Sequence, residues 1–200
     1  MIAERLIRKK ILICNNNENI KEIEVTNDLN VEKINELIDI HIDYVHKMKL
    51  FNKNNNTKFR LPNFPEGISE NIVKEYINKK EKRNCKKSQI GGDLVIYENN
   101  KCDKIEVKCF TSDGPTSFGP TEKWKEIYFI DAKDFLNKNF KIYKINLSND
   151  SIIFSNIKIN KDKTYIDVCK EGKRPRINFN KLKKQLKDNI QLLYQGDLNF

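Results

Sequence analysis

The stretch that decides the fold is Gly91-Gly92-Asp93-Leu94-Val95-Ile96-Tyr97, followed after a polar turn by Lys104-Ile105-Glu106-Val107-Lys108-Cys109-Phe110. The first run is β-branched and aromatic and is opened by glycines. Glu98-Asn99-Asn100-Lys101-Cys102-Asp103 interrupts it, and an alternating run follows, so the pair reads as two adjacent antiparallel strands. The two-residue period of a strand puts Glu106 and Lys108 on one face and Ile105, Val107 and Cys109 on the other. With the hairpin closing around residue 100, Asp93 falls opposite Lys108 and close to Glu106.

Three charged side chains converging beside apolar strands need a reason, because an unpaired charge next to a core is costly. Two carboxylates form a hard oxygen site of the kind that binds Mg²⁺ together with water and phosphate oxygens. A lysine two residues beyond the second acid can orient an attacking water and offset charge at phosphorus, with the ion as Lewis acid and template. An acid, a turn, then acid-x-Lys on the next strand resembles the PD-(D/E)xK nucleases, with Gly92 in place of the proline before the aspartate. The plain alternative is a half-exposed hairpin with a cross-strand Asp–Lys pair, which contributes only about 0.2–1 kcal/mol. Acid-x-Lys recurs at Asp131-Ala132-Lys133 and Glu171-Gly172-Lys173, but neither has a strand-borne acid at the proper distance upstream followed by a turn.

Two hundred residues suit a single domain, read here as a peripheral part over 1–58, a catalytic core over 59–145 and a basic part over 146–200. The net charge of +10 is the sign a phosphate-binding surface requires, although a uniformly lysine-rich solvated surface gives the same total. The five cysteines are scattered and never spaced C-x-x-C, which argues against a zinc site or disulfide framework and for a reducing cytosol. No apolar run is long enough to span a membrane, and the N-terminus lacks a signal-peptide core. A cytoplasmic location is expected.

Along the chain, residues 5–26 alternate loosely around an asparagine turn at 15–17, predicting a peripheral strand pair. Val31, Ile34, Leu37, Ile38, Val45 and Met48 predict an amphipathic helix from about Asn30 to Lys49. His41 and His46 lie on it at a spacing that does not share a face, as ordinary surface or core-edge histidines. Residues 52–58 read as a polar loop. Pro65 suits the first position of a second helix, with Glu66 favoured there by the helix dipole. Ile72, Val73, Tyr76 and Ile77 form its apolar face. Glu70 sits at the margin of that stripe, either paired with a lysine such as Lys74 or aimed into the metal site.

After the hairpin, the loop Thr111–Pro120 supplies small hydroxyls, among them Ser112, Thr116 and Ser117, that can grip phosphates; an ordered connecting turn is the other reading. Ile127–Ile130 and Phe140–Ile145 read as core strands. Residues 146–170 read as strand fragments. Lys173, Arg174 and Arg176 form a basic cluster suited to phosphates or guanine edges, or a plain basic turn. Lys181 to about Tyr194 predicts a closing basic helix.

A wider resemblance runs from about Arg60 to Leu186. Pro65-Glu66 with Ile68-Ser69-Glu70, the Asp93 strand, Val107-Lys108, Thr116-Ser117-Phe118-Gly119-Pro120, Trp124 with Glu126-Ile127-Tyr128-Phe129, Ile142-Tyr143-Lys144-Ile145 and Arg174-Pro175-Arg176 occur in one order. In that order the chain resembles small type II restriction endonucleases that cut short interrupted GC-type palindromes. The first sixty residues match only vaguely.

The resemblance implies an α/β PD-(D/E)xK domain, a mixed central sheet flanked by helices with the site at one sheet edge. It implies a Mg²⁺-dependent homodimer that cuts both strands of duplex DNA. Asp93, Glu106 and Lys108 carry over as the catalytic set, with Glu70 as helix carboxylate. Asp93, Glu106, the Val107 carbonyl and Glu70 become metal ligands, and the Ser/Thr loop with Lys173, Arg174 and Arg176 becomes the DNA-contacting set. Two other functions fit the residues: a structure-specific repair or junction-resolving nuclease of the same superfamily, and a basic DNA-binding module without catalysis.

Overall fold

The structure, a computed structural model, describes residues 9–14, 20–25, 28–88, 93–98 and 101–200. β1 (Lys9–Cys14) and β2 (Ile20–Val25) pair antiparallel in a two-stranded sheet of their own, as residues 5–26 predict. The turn at 15–17 lies outside the described residues.

α1 (Val31–Asn54) is capped by Asn30, whose side chain accepts the Lys33 amide, and it buries Ile34, Ile38, His41 and Val45. It runs five residues beyond the expected end at Lys49, so Asn52, Lys53 and Asn54 are helical rather than loop. No breaker intervenes, and the helix stops only where Asn56 takes a left-handed φ of 50°, a conformation asparagine tolerates.

α2 (Glu66–Tyr76) starts one residue after Pro65, which takes the capping position instead of the first helical one. Its expected apolar face is buried, and so are the polar residues Ser69, Glu70, Asn71 and Lys74. Those last two are bonded internally. Asn71 accepts the Leu29 amide, and the Lys74 ammonium reaches Asp28 at 3.1 Å and the Leu29 carbonyl at 3.0 Å. A π-helical turn over Ile77–Glu81 then leads through Lys82 (φ 57°) into the sheet.

β3 (Cys85–Lys87), β4 (Leu94–Glu98) and β5 (Lys101–Phe110) form an antiparallel unit, with Leu94 paired to Ile105. Continued by one residue, that register sets Asp93 opposite Glu106 rather than opposite Lys108. The shift arises because β5 begins at Lys101 and absorbs residues expected in the turn. Gly91, Gly92, Asn99 and Asn100 lie outside the described residues.

After β6 (Pro115–Ser117), β7 (Glu126–Asp134) lies parallel to β5, and β8 (Asn139–Ile145) returns antiparallel. Residues 146–170 are not strand fragments. They contain two short helices, α3 (Ile152–Ser155) and α4 (Tyr165–Lys170), because Ser151 caps the first and Thr164 forms a capping box with Asp167 at the second.

β9 (Arg176–Asn178) pairs with β6. α5 (Phe179–Leu186) ends eight residues short of the expected closing helix. Lys187 takes a φ of 42°, and β10 (Ile190–Gly196) completes the sheet against β8. Covering an open strand edge, with Ile190 and Leu193 packed inward, outweighs the helical period of that stretch.

The six-stranded sheet has the order β10-β8-β7-β5-β4-β3, and only β5 and β7 run parallel. One face packs on α1 and α2 through Ile34, Ile38, Ile72, Ile77, Ile105 and Tyr128. The other packs on the C-terminal helices through Phe118, Trp124, Phe129, Phe154, Phe179 and Leu182. Each such burial contributes about 1.5–3 kcal/mol. The protein is α/β, a mixed central sheet flanked by helices, as expected. Among the described residues no helix is long and apolar enough to cross a membrane, and Cys85, Cys102, Cys109 and Cys169 are free.

Candidate active site

Two elements deliver acids to one place. In α2, Glu66 and Glu70 are four residues apart and so share a face. Asp93 stands just before β4. Oxygens of these three carboxylates all lie within 4.8 Å of one another. Asp93 is fixed from both neighbouring strands: its Oδ2 accepts the Val107 amide at 2.7 Å, and its carbonyl accepts the Ser88 amide at 3.1 Å. Glu70 is buried, Asp93 half-buried and Glu66 exposed.

Glu106, only 4 % exposed, forms an ion pair with Lys108 on the same strand. Burial pushes the Glu106 carboxyl up to about 7, against the pull of Lys108 and with a further push from Asp93. Burial also raises Asp93, opposed by the Val107 hydrogen bond and Lys108. Lys87, on β3, pairs with Glu70, and burial lowers its pKa against the attraction of Asp93, Asp28 and Glu66.

The Lys108 ammonium lies 5.8 Å from the Phe118 ring centre, which limits where its head can swing. Next to that ring, the Gly119 amide donates to the Glu122 carboxylate at 2.8 Å. These contacts tie the loop after β5 to the lysine.

A cleft of about 360 Å³ opens between Glu66 and Lys108 on one side and Ser112, Thr116 and Ser117 on the other. Thr116 and Ser117 pair with Ile177 and Arg176 across β6 and β9. Arg174 Nε donates to Ser117 Oγ at 3.1 Å, and the Phe118 amide donates to the Pro175 carbonyl at 3.0 Å. The hydroxyl loop and the arginine cluster, far apart in sequence, thus form one rim. Lys173 points to Glu171 at 2.9 Å.

The structure therefore brings together Asp93, Glu106, Lys108 and Glu70, with the Val107 amide contacting Asp93. Glu70 does not pair with Lys74, whose partners are Asp28, Glu75 and the Leu29 carbonyl. Two further charged residues sit at this cluster, one of which the sequence left open and one of which it did not suggest. Glu66 was explained by the helix dipole, although its spacing from Glu70 was a readable sign. Lys87 carried no sign at all, because only the β3–β4 pairing brings it near Asp93. Away from the site, His41 is buried between Phe64 and Phe135, as a core-edge histidine.

The arrangement can hold a hard divalent cation among oxygens, present an ammonium beside it and seat a phosphodiester in the cleft. A family model described as Bsp6I restriction endonuclease matches residues 29–185, well over half of the chain. The match begins well before Arg60, at the lead-in to α1. No curated protein and no solved structure is matched.

Proposed function

Because the chain belongs to the Bsp6I restriction endonuclease family, we propose that it is a type II enzyme that hydrolyses duplex DNA at a short interrupted GC-type palindrome with Mg²⁺. One observation carries this reading: the oxygens of Glu66, Glu70 and Asp93 lie within 4.8 Å of one another beside the Glu106–Lys108 pair, at the edge of a cleft rimmed by hydroxyls and arginines.

An all-oxygen donor set fits Mg²⁺ rather than a soft metal. Asp93, Glu70 and Glu66 would hold it, with Glu106 and the Val107 carbonyl next to them. When bound, such an ion supplies Lewis acidity at a phosphoryl oxygen and lowers the pKa of water.

The remaining chemistry belongs to the chain. Lys108 orients the attacking water for in-line displacement at phosphorus and stabilises charge on the non-bridging oxygens. The P–O3′ bond breaks, leaving a 5′-phosphate and a 3′-hydroxyl. Ser112, Thr116, Ser117 and Lys173 position the DNA backbone, while Arg174 and Arg176 reach backbone or guanine edges. Two copies related by a two-fold axis would address the two strands of a palindrome.

Digestion of a plain duplex plasmid with Mg²⁺ tests the function. Discrete bands whose ends map to one sequence support it. Nicking confined to branched or junction DNA favours a repair or resolving nuclease instead. Sequence-selective binding with no metal-dependent cutting favours a binding module.

A further inference from the structure

Three carboxylates whose oxygens lie within 4.8 Å of one another repel when ionised, and a fold that holds them needs a compensating cation. Two ammonium groups approach this region. Lys108 is engaged by Glu106, on the side of the cleft. Lys87 is engaged by Glu70, which lies within 4.8 Å of the Asp93 and Glu66 carboxylates, and it is attracted by Asp93, by Asp28 outside the cluster and by Glu66.

Its position is set by the fold. Lys87 pairs with Leu94 across β3 and β4, next to Asp93, and the Ser88 amide that follows it bonds the Asp93 carbonyl. Like Glu70 and Asp93, it lies behind the hydroxyl-rimmed cleft and is not among the residues that line it. It does line an apolar groove of about 570 Å³ between α1 and α2, together with Leu37, Ile40 and Ile68. A lysine stem can lie along such a wall while its head turns outward.

Building on the metal site proposed above, we infer that Lys87 is a built-in counter-ion. Its ammonium holds the place of a divalent cation among Glu66, Glu70 and Asp93, and when a metal enters it swings out to solvent with its stem along the groove wall. Lys87 is thus a positioning residue that keeps the acids assembled before metal arrives and weakens metal affinity in return.

Titration of the metal-free protein with Mn²⁺, followed by the electron paramagnetic resonance of the free ion, tests this without DNA or cleavage. Lys87→Met should bind Mn²⁺ about tenfold more tightly, the scale of one charge contact in a half-buried site. Its metal-free form should melt at lower temperature than the wild type, and saturating Mn²⁺ should close most of that gap. Lys87→Gln serves as a second neutral variant with the same expectations.

In the wild type, Ca²⁺ should increase acetylation of Lys87 by an amine-reactive ester, read by peptide mass mapping. Unchanged or weaker Mn²⁺ affinity in a folded variant, or Lys87 acetylation indifferent to Ca²⁺, would overturn the inference while leaving an Asp93-dependent metal site in place. Absence of Asp93-dependent Mn²⁺ binding in wild type and variants alike would overturn the metal site itself, and the counter-ion with it.

Discussion

The Val107 amide donates a 2.7 Å hydrogen bond to the Asp93 carboxylate, joining two residues 14 apart in sequence. This bond uses a backbone group of β5 to aim the side chain that leads into β4. The same carboxylate lies within 4.8 Å of Glu66 and Glu70 on α2. Asp93 is thereby held by sheet geometry instead of by a flexible partner, which is the support the proposed role at a metal site calls for.

Glu106 gives a pH signature. Its carboxyl titrates near 7 when folded, against an ordinary value of 4.5. Between those values the native state binds more protons than the unfolded chain, so stability falls as pH rises from about 4.5 to about 7 and is flat above. The size is about 3 kcal/mol for this nearly enclosed group. In metal-free buffer, Glu106→Gln should flatten that part of the stability profile. Superimposable profiles for variant and wild type would refute it.

A second charged cluster is structural. Glu126, 6 % exposed, accepts Arg83 at 2.8 Å and Lys144 at 3.0 Å, and Glu81 accepts the same two cations. Arg83→Met strands these acids with one cation and should cost about 3 kcal/mol. Burial raises Glu126, but hydrogen bonds from Arg83 and Lys144 hold it below the ordinary range. The stability this supplies is present above about 4.5 and fades as pH falls, so the mutational loss should shrink in acid. Urea melts at neutral and acidic pH measure both, and a neutral-pH loss near zero would contradict the network's role.

The rim built by Ser117, Arg174 and Arg176 predicts a salt effect. If these arginines bind phosphates, Arg174→Ala or Arg176→Ala should each lower the slope of log K against log salt by about 0.9. Lys173→Ala should change it less, because Glu171 already engages that ammonium. Fluorescence anisotropy with a duplex at several salt concentrations reads the slopes. Unaltered slopes for both arginines would remove them from the interface.

Gly119→Ala probes the loop that borders Lys108. An added Cβ would collide with the Glu122 carboxylate, which accepts the Gly119 amide. The Glu122 carboxylate, the far end of a flexible side chain, would swing aside and leave the buried Gly119 amide without its acceptor, at about 1–3 kcal/mol. If the Gly119–Glu122 bond is what holds the Phe118 ring beside Lys108, cleavage should fall beyond what the change in melting temperature explains. Wild-type cleavage by the alanine variant would show that the loop does not position the lysine.

The hairpin was legible because alternation, glycines and a polar turn are local signals, and the acid-x-Lys spacing rides on them. The strands around Ile127–Ile130 and Phe140–Ile145 were legible for the same reason. The C-terminal part was less so: Lys181 to Tyr194 has helical periodicity, yet Ile190–Gly196 is drawn to the open edge of β8, a force no local window contains. Thr164-x-x-Asp167 was a readable capping signal that strand-like neighbours obscured. Lys87 and the rim joining Ser117 to Arg174 depend on tertiary pairing alone. The register of Asp93 required the true start of β5, which the asparagine turn did not reveal.

Asp93→Ala tests the central claim most directly. It removes one of the three clustered acids and the acceptor of the Val107 amide, while the arginine rim remains intact. The purified variant should lose Mg²⁺-dependent plasmid cleavage yet retain sequence-selective DNA binding close to wild type, and Lys108→Ala should behave the same way. Full cleavage by purified Asp93→Ala would contradict the account.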